Sequence, residues 1–318
     1  SVGTDEEGQR VARLYSRTGE DISKSFPDLM DMLCEPHFGD MTIDGELLVV
    51  IDAQVQSFAT LQQRLNRKSV SQKWVTQYPA HIRAYDLLAE NGEDLRELTF
   101  ADRRARLTNC LERLAHPHLD LSPEVPFDTW EQLAQARRDP ASVGAQDEAE
   151  AIEGLMLKRR DSVYVPGRPK GLWFKWKRDP FNVDAVLMYA QRGHGRRSSY
   201  YSDFTFGVWK GQELVPVGKA YFGFTDDELK ELDKYIRNHT RNRFGPVREL
   251  DFSWDQGLVL EIAFEGLSRS PRHKSGLAMR FPRISRIRWD KPAREADAIG
   301  TLERLLETGL RRAPSPSA

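Results

Sequence analysis

The chain has 318 residues, enough for two domains with hydrophobic cores of their own. Charged residues make up 30% and apolar residues 39%, and the longest aliphatic run, Leu47 to Ile51, is too short to cross a bilayer. A net charge of −1 does not by itself predict a nucleic-acid partner, and Cys34 and Cys110 lack metal-binding spacing, so we expect reduced core thiols in a cytoplasmic protein without a membrane partner.

Strand and helix signals alternate without a regular repeat over the first 150 residues. Apolar alternation predicts a strand over residues 10–17 that ends in a polar turn, and Pro27 favours a short helix from Ser25. The further predicted elements are one strand or a strand pair at 41–51, a helix with the stripe Phe58, Leu61 and Leu65, a strand at 82–88, a helix capped by Thr99 and Asp102, a helix beginning at Asp128, and a polar loop at 137–150.

Residues 153–178 carry the pattern that is most informative about chemistry. Both ends of this run, 153–158 and 173–178, resemble strands in which apolar side chains point one way and charged ones the other. We therefore expect Glu153, Lys175 and Lys177 to share one lined pocket. A carboxylate that can hold a divalent cation, beside two lysines, suits phosphate chemistry, although a salt-bridged sheet face would show the same pattern.

Beyond Pro180 the sequence changes to short β runs with recurring glycines. The runs are 183–190, 204–209, 214–217 and 258–264, and Lys210-Gly211 favours a hairpin turn between two of them. One helix, capped by Thr225 and Glu228, interrupts the strands, and another passes through Leu302. About five strands with one intervening helix predict a small closed barrel of the oligonucleotide-binding type.

Positive charge is concentrated in two segments. Residues 158–178 hold eight Lys or Arg against Asp161, and residues 269–291 hold eight against Asp290. Two such segments with interleaved aromatic residues favour a polyanionic partner, while solvated surface charge is the alternative for either segment alone.

The order of these segments closely resembles ATP-dependent DNA ligases, particularly the bacterial members, over nearly the whole chain. The most specific match is residues 275–291, which contain Arg-Phe-Pro-Arg and Arg-Trp-Asp-Lys and resemble the sixth ligase motif. The segments around Glu153 and around Lys175 and Lys177 resemble the fourth and fifth motifs. Asp44-Gly45-Glu46 and Tyr85-Asp86-Leu87-Leu88 resemble the ribose-binding glutamate region and the third motif.

The resemblance implies an α+β fold. An antiparallel-sheet nucleotidyltransferase (adenylation) domain at 1–179 would be followed by an OB-fold β-barrel at 180–310 and a disordered tail at 311–318. It also implies ATP and Mg²⁺ as cofactors, nicked double-stranded DNA as the partner, and a monomeric protein.

The resemblance also assigns functions to individual residues where the motifs match. Glu46 would hold the ATP ribose or help place a metal, Tyr85 would stack on adenine in place of the more usual Phe, and Glu153 would bind Mg²⁺. Lys175 and Lys177 would neutralise the α-phosphate as charge builds during attack.

Two further sets of residues are implied. Arg288 and Lys291 would swing in with the barrel domain to orient the pyrophosphate leaving group. The expected DNA contacts are Ser16, Arg17, Arg280 and Arg283.

One part of the family pattern is missing. The family's nucleophile is a lysine in a Lys-x-Asp-Gly motif, and no lysine here is followed by x-Asp-Gly; Thr42-Ile43-Asp44-Gly45 has no lysine. In the family this motif lies shortly before the Ser16-Arg17 segment, so it would fall upstream of Ser1. We therefore expect the C-terminal part of a longer ligase, unable to adenylate itself.

Each candidate also has a simpler interpretation when taken alone. Glu46 and Glu153 would more often be surface acids, and Tyr85 core filling. The histidines His116, His118, His194 and His273 show no ligand spacing, and we expect His273 to touch phosphate or cap a loop. Two other function classes stay open: an RNA ligase or mRNA-capping-type nucleotidyltransferase with the same core, and a non-catalytic fragment that binds DNA or nucleotide.

Overall fold

The computed structural model describes residues 1–65, 67, 69–145, 151–167, 169–193, 200–220 and 225–307, apart from the side chains of Ala59 and Asp226. The expectations for His194 and for a tail at 311–318 lie outside these residues. The chain forms two compact units, Ser1–Arg178 and Asp179–Ala318. Within the described residues, no helix is long and apolar enough to cross a membrane.

The first unit combines nine strands and five α-helices within the described residues. The strands are β1 Val2–Thr4, β2 Arg10–Ala12, β3 Met41–Ile51, β4 Gln54–Val55, β5 Ala80–Glu90, β6 Glu93–Asp94, β7 Leu119–Leu121, β8 Gly154–Lys158 and β9 Trp173–Lys177. The helices are α1 Pro27–Leu33, α2 Phe58–Leu65, α3 Gln72–Gln77, α4 Phe100–Leu114 and α5 Trp130–Arg138.

Strands β3 and β5 form the centre of the main sheet, in the order β2-β1-β3-β5-β6. β4 pairs with β3, and β7 pairs with β5. Among the described residues of this sheet, only β5 and β7 run parallel to each other. Helices α1 and α4 cover this sheet with fully buried side chains such as Leu29 and Leu107, and Phe26, just before α1, is buried with them. β8 and β9 form a separate two-stranded antiparallel sheet.

The second unit is built mainly from strands. They are β10 Phe181–Arg192, β11 Tyr201–Lys210, β12 Glu213–Ala220, β13 Thr240–Phe244, β14 Val247–Leu250, β15 Val259–Phe264, β16 Gly266–Arg269, β17 Leu277–Arg280 and β18 Arg283–Arg288. Helix α6 is Asp226–Asn238 and α7 is Ile299–Glu307. The long strand β10 pairs with β11, β14 and β15, β15 pairs with β18, and Phe204, Phe206 and Phe264 fill the core between them.

Most sequence-predicted elements are confirmed. Residues 41–51 are one strand, Thr99 caps α4 by accepting a hydrogen bond from Asp102 N, and Thr225 and Glu228 form a capping box at the start of α6. The hairpin at Lys210-Gly211 is also present, since Lys210 pairs with Glu213.

Three local predictions are wrong in extent. The strand predicted over 10–17 ends at Ala12, because Tyr15 only forms an isolated bridge to Asp21 around the polar turn. The helix predicted from Asp128 is capped instead by Thr129, whose side chain and that of Gln132 form a capping box. The loop predicted at 137–150 begins later, because α5 continues to Arg138.

Candidate nucleotide and phosphate site

A break in the pairing of β3 with β5 positions the predicted adenine-stacking residue. Asp44 pairs with Asp86 and Gly45 pairs with Ala84, so Tyr85 is an extra residue at a β-bulge. Bulges re-aim side chains and are frequent next to functional sites. The Tyr85 hydroxyl donates a hydrogen bond to Asp44 Oδ1 at 2.8 Å.

Asp44 accepts a second hydrogen bond, from the Tyr164 hydroxyl to Oδ2 at 3.2 Å. Burial, together with the charge of Asp44, raises the pKa of Tyr85 well above its usual range and raises the pKa of Tyr164 to about 12. Both hydroxyls therefore stay protonated and donate to the carboxylate. Asp44 thus ties β3 to β5 and to the segment that follows β8.

The ring of Tyr85 also contacts the ammonium group of Lys158, which the sequence indicated only as one charge of a basic segment. Lys158 Nζ lies 4.6 Å from the Tyr85 ring centroid, 4.6 Å from the Phe100 ring centroid and 3.8 Å from Asp86 Oδ2. Burial lowers the pKa of Lys158, while the charges of Asp86 and Asp44 oppose that effect. Its position at the end of β8 was visible in the sequence, but its aromatic neighbours were not.

The β8–β9 hairpin brings Glu153, Lys175 and Lys177 to one region. Lys177 Nζ lies 3.9 Å from Glu153 Oε2, with both side chains about half exposed. Strand alternation places Lys175 and Lys177 on the same side, as predicted, but Trp173 shares that side. The predicted separation of apolar from charged side chains is therefore incomplete.

Gly154 permits the close approach of the two strands. It has φ +151°, and a Cβ atom built there would lie 2.4 Å from Trp176 O and 2.6 Å from Lys177 Cα. Only glycine fits this approach without movement of β9. Because Gly154 follows Glu153 and faces Lys177, it brings the carboxylate next to the lysine-bearing strand.

Glu46 lies close enough to this cluster for their charges to act on one another. Desolvation by the surrounding protein raises the pKa of the Glu46 carboxyl, although the side chain keeps solvent contact. The charge of Lys175 opposes this shift, and the charges of Glu153 and Asp44 add to it. The structure thus brings Glu46, Glu153, Lys175 and Tyr85 into one part of the first unit.

The carboxylates of Glu46 and Glu153 fit a divalent cation whose remaining ligands are water and phosphate oxygens. Mutual repulsion of Glu46 and Glu153 is the kind of charge excess that a cation relieves. Among the described residues, no three His, Cys, Asp or Glu side chains form a ready metal cluster. One or two carboxylates with water and phosphate oxygens is the arrangement that Mg²⁺ commonly uses.

Ser16 and Arg17 lie in the polar turn after β2, where the backbone N–H of Ser16 donates to Glu20 O. Ser16 Oγ is 3.0 Å from Thr18 Oγ1, so the hydroxyl is used within the turn. Across the described part of the chain, no hydrogen bond or ion pair joins Ser16 or Arg17 to Glu46 or Glu153.

The other four predicted residues belong to the second unit. Arg288 Nε and Nη2 donate hydrogen bonds to the Asp290 carboxylate at 3.0 and 2.9 Å. Arg288 Nη1 donates to Asp184 Oδ2 at 3.3 Å, and Lys291 Nζ donates to the same oxygen at 2.7 Å. The bond from Arg288 lowers the pKa of Asp290 to about 2. Asp184 was missed in the sequence, because it is distant in the chain and carries no motif signal.

Arg280 and Arg283 are exposed at the adjacent ends of β17 and β18. The Arg280 guanidinium lies 5.2 Å from the Phe281 ring centroid, and Arg283 Nη1 lies 3.7 Å from Glu265 Oε1.

The remaining side chains considered in the sequence are two cysteines and three described histidines. Cys34 and Cys110 are free thiols. His273 Nδ1 lies 2.9 Å from Ser270 Oγ within the loop between β16 and β17, as expected of a loop-capping side chain. His116 and His118 stack obliquely with ring centroids 5.7 Å apart.

Two family models match most of the chain. The model described as the ATP dependent DNA ligase domain matches residues 5–177, and that described as the ATP dependent DNA ligase C terminal region matches residues 197–291. The chain is 36% identical over 309 residues to a "Probable DNA ligase" of Koribacter versatilis, covering 93% of this chain and 52% of that protein. It is 30% identical over 310 residues to a "DNA ligase" of Thermococcus onnurineus, covering 96% and 53% respectively.

The chain therefore spans about half the length of these curated relatives. A solved structure titled "Pmar-Lig_PreS3" has a TM-score of 0.62 at 18% identity, covering 88% of this chain and 59% of its own. A Lig E DNA ligase structure has a TM-score of 0.58 at 17% identity, covering 90% and 91%. These two agree in fold, a nucleotidyltransferase domain followed by an OB-fold, and the family models show that the chain belongs to the ATP-dependent DNA ligases.

Proposed function

We propose that this chain supplies the strand-sealing chemistry of an ATP-dependent DNA ligase, joining the 5′-phosphate and 3′-hydroxyl of a nick in duplex DNA. The observation that carries the proposal is the grouping of Glu46, Glu153, Lys175 and Lys177 beside Tyr85. Carboxylates, lysines and an aromatic ring are the groups that a nucleotide phosphate and its base require. We also propose that the protein acts as a monomer in the cytoplasm.

Sealing starts from DNA whose 5′-phosphate carries AMP. The 3′-hydroxyl oxygen bonds to the phosphorus, the bond from phosphorus to the AMP oxygen breaks, and AMP leaves with that electron pair while the hydroxyl proton passes to solvent. Lys175 and Lys177 would neutralise the phosphate oxygens during this displacement, and Tyr85 would hold the adenine by stacking.

Glu46 and Glu153 would hold Mg²⁺, which would supply further charge neutralisation at the phosphate. Ser16, Arg17, Arg280 and Arg283 would bind the DNA backbone. In the step that precedes DNA adenylation in this family, a lysine takes AMP from ATP and pyrophosphate leaves; Arg288 and Lys291 would orient that pyrophosphate. Since the sequence contains no Lys-x-Asp-Gly, we expect no covalent adenylate after incubation with ATP.

The test uses nicked duplex DNA that already carries the 5′-adenylate, with Mg²⁺ and without ATP. We expect the chain to seal this nick and Glu153→Ala to seal it roughly 10²- to 10³-fold more slowly, as expected for loss of a group that stabilises transition-state charge. Glu112→Ala removes an exposed glutamate of α4 and should seal like the wild type.

The same assay separates the alternatives. Sealing of nicks with RNA strands in preference to DNA would indicate an RNA ligase. DNA binding without any sealing by the wild type would contradict the proposal for this chain and leave a binding module.

A further inference from the structure

The second unit carries a basic hairpin that lies outside both charged segments singled out in the sequence. It consists of β13 and β14, residues 240–250, and its edge strand β13 pairs only with β14 among the described residues. Arg241 and Arg243 are exposed on this strand. Among the described residues, neither has a carboxylate within ion-pairing distance.

Two like charges face each other across this hairpin and lower its stability. Arg243 pairs directly with Arg248 across the strands, and like charges at opposed positions destabilise a sheet. Arg248 turns away, donating to Gly245 O at 2.8 Å and Val247 O at 3.2 Å. An anion bound from solvent would relieve the repulsion that remains around Arg243.

The only acidic residue of the hairpin is occupied by other partners. Glu249 accepts from Asn242 Nδ2 at 2.5 Å and from the Tyr189 hydroxyl at 3.5 Å. Arg241 lies where the register of β13 shifts between Thr240 and Asn242, which turns it away from regular pairing with β14. The hairpin thus presents guanidinium groups to solvent while its carboxylate is held at the base.

The tip of the hairpin holds an aromatic ring in the open. Phe244 is 59% exposed and pairs with Val247 across a two-residue loop. Gly245 has φ +56° and is followed by Pro246, a combination that supplies a tight turn with little freedom. A rigid tip loses little conformational entropy when it is placed against a partner.

We infer that this hairpin is a contact for duplex DNA. Arg241 and Arg243 bind backbone phosphates, and Phe244 packs against sugars and base edges in the minor groove. This inference rests on the proposed function and adds a binding element to it. Planar guanidinium groups match phosphate oxygens, and apolar side chains between cationic ones are typical of minor-groove contacts.

The test measures binding of the intact chain to nicked duplex DNA by fluorescence anisotropy between about 50 and 200 mM salt. Removing two phosphate contacts with R241Q/R243Q should lower the slope of log affinity against log salt by about 1.8. Phe244→Ala should weaken binding at least about fivefold without changing that slope. All three side chains are exposed, and R243Q also relieves the repulsion with Arg248, so we expect urea midpoints no lower than that of the wild type.

The charge-matched control is R294Q/R304Q, which removes two exposed arginines elsewhere in the second unit. A larger loss of slope for R241Q/R243Q than for this control, with weaker binding by Phe244→Ala, supports the inference. Equal slopes for the two double variants, or wild-type affinity of Phe244→Ala, overturn it.

Failure of the inference is distinguishable from failure of the proposed function. If the wild type seals the adenylated nick and the hairpin variants bind as it does, only the hairpin contact is wrong. If the wild type neither seals nor binds duplex DNA, both are wrong. For variants that bind weakly, sealing at saturating DNA should keep its wild-type rate, because the hairpin touches no reacting atom.

Discussion

Arg103 and Asp86 form a two-pronged ion pair inside the first unit, with Nε–Oδ1 at 2.8 Å and Nη2–Oδ2 at 3.0 Å. Both side chains are almost fully buried, at 2% and 3% exposure. Arg103 Nη1 also donates to Leu98 O and to Ser162 O at 3.2 Å, so one guanidinium joins β5 to the segment after β8. Because Asp86 follows Tyr85, this pair supports the bulge on which the stacking residue lies.

Arg103→Met should destabilise the first unit by about 3–5 kcal/mol, because it leaves a buried carboxylate without its main partner. Urea unfolding measures the change. Arg96→Gln breaks the pair of Arg96 with Asp94, in which both side chains are more than half exposed, and should leave the urea midpoint almost unchanged because solvent screens the pair. Equal costs for the two variants would show that the buried pair has no special role.

Gly154→Ala should slow sealing by about 100-fold although it removes no functional group. The added Cβ would overlap Trp176 O and Lys177 Cα, so β9 must move and carry Lys175 and Lys177 with it. A misplacement of about 1 Å can cost about 100-fold in rate. Gly3→Ala is the control, since nothing lies within 4 Å of a Cβ there. Wild-type sealing of the adenylated nick by Gly154→Ala would contradict the geometry of this hairpin.

Glu46 should make the folded state less stable as the pH rises. Desolvation, reinforced by the charges of Glu153 and Asp44, raises the pKa of its carboxyl in the folded state, so that state binds the proton more tightly than the unfolded one. Stability is therefore lost as the pH rises from about 4.3, the ordinary value, through the higher folded pKa. The free energy of unfolding of Glu46→Gln minus that of the wild type should increase over this interval.

Urea titrations at a series of pH values between about 4 and 7 measure this difference. Glu112→Gln, on the exposed face of α4, is titrated in parallel to subtract the general effect of removing one negative charge. If Mg²⁺ binds at Glu46 and Glu153, adding it should stabilise the wild type more than Glu46→Gln at neutral pH. If the free energy of unfolding of Glu46→Gln minus that of the wild type fell with rising pH, the pKa of Glu46 would be lowered by folding and not raised.

Tyr85→Phe and Tyr85→Ala should separate the hydroxyl from the ring. Tyr85→Phe loses the hydrogen bond to Asp44 and should cost about 0.5–1.5 kcal/mol of stability while keeping the affinity for an adenylated nick. Tyr85→Ala should also lose stacking, and with it roughly 5- to 150-fold of the preference for an adenylated over a plain nick.

Anisotropy titrations with the two DNAs measure this preference. Tyr164→Phe is the matched variant, since it removes the other hydroxyl that Asp44 accepts. It should lower stability without changing the preference for the adenylated nick. An unchanged preference in Tyr85→Ala would remove Tyr85 from the adenine site.

Local signals in the sequence predicted most elements correctly, because capping and periodicity act within a few residues. Thr99 begins α4 and Thr225 begins α6, as the spacing of their partners indicates. The error at the end of α5 has a non-local cause. Arg137 lies 5.0 Å from the Trp176 ring centroid and donates to Lys177 O at 2.5 Å, so contacts from β9 hold the helix where the composition favoured a loop.

By itself, the sequence determined the family pattern and the common side of Lys175 and Lys177, since alternation along a strand needs no partner. It also predicted strands at 153–158 and 173–178, which the structure forms over 154–158 and 173–177. Only the tertiary structure decided that Glu46 interacts electrostatically with Lys175 and Glu153. It also decided that Asp44 accepts hydrogen bonds from two tyrosine hydroxyls and that the Lys158 ammonium lies over the ring of Tyr85. Those relationships join residues that are far apart in the chain, and they depend on the register of β3 with β5 and on one bulge, neither of which a local pattern specifies.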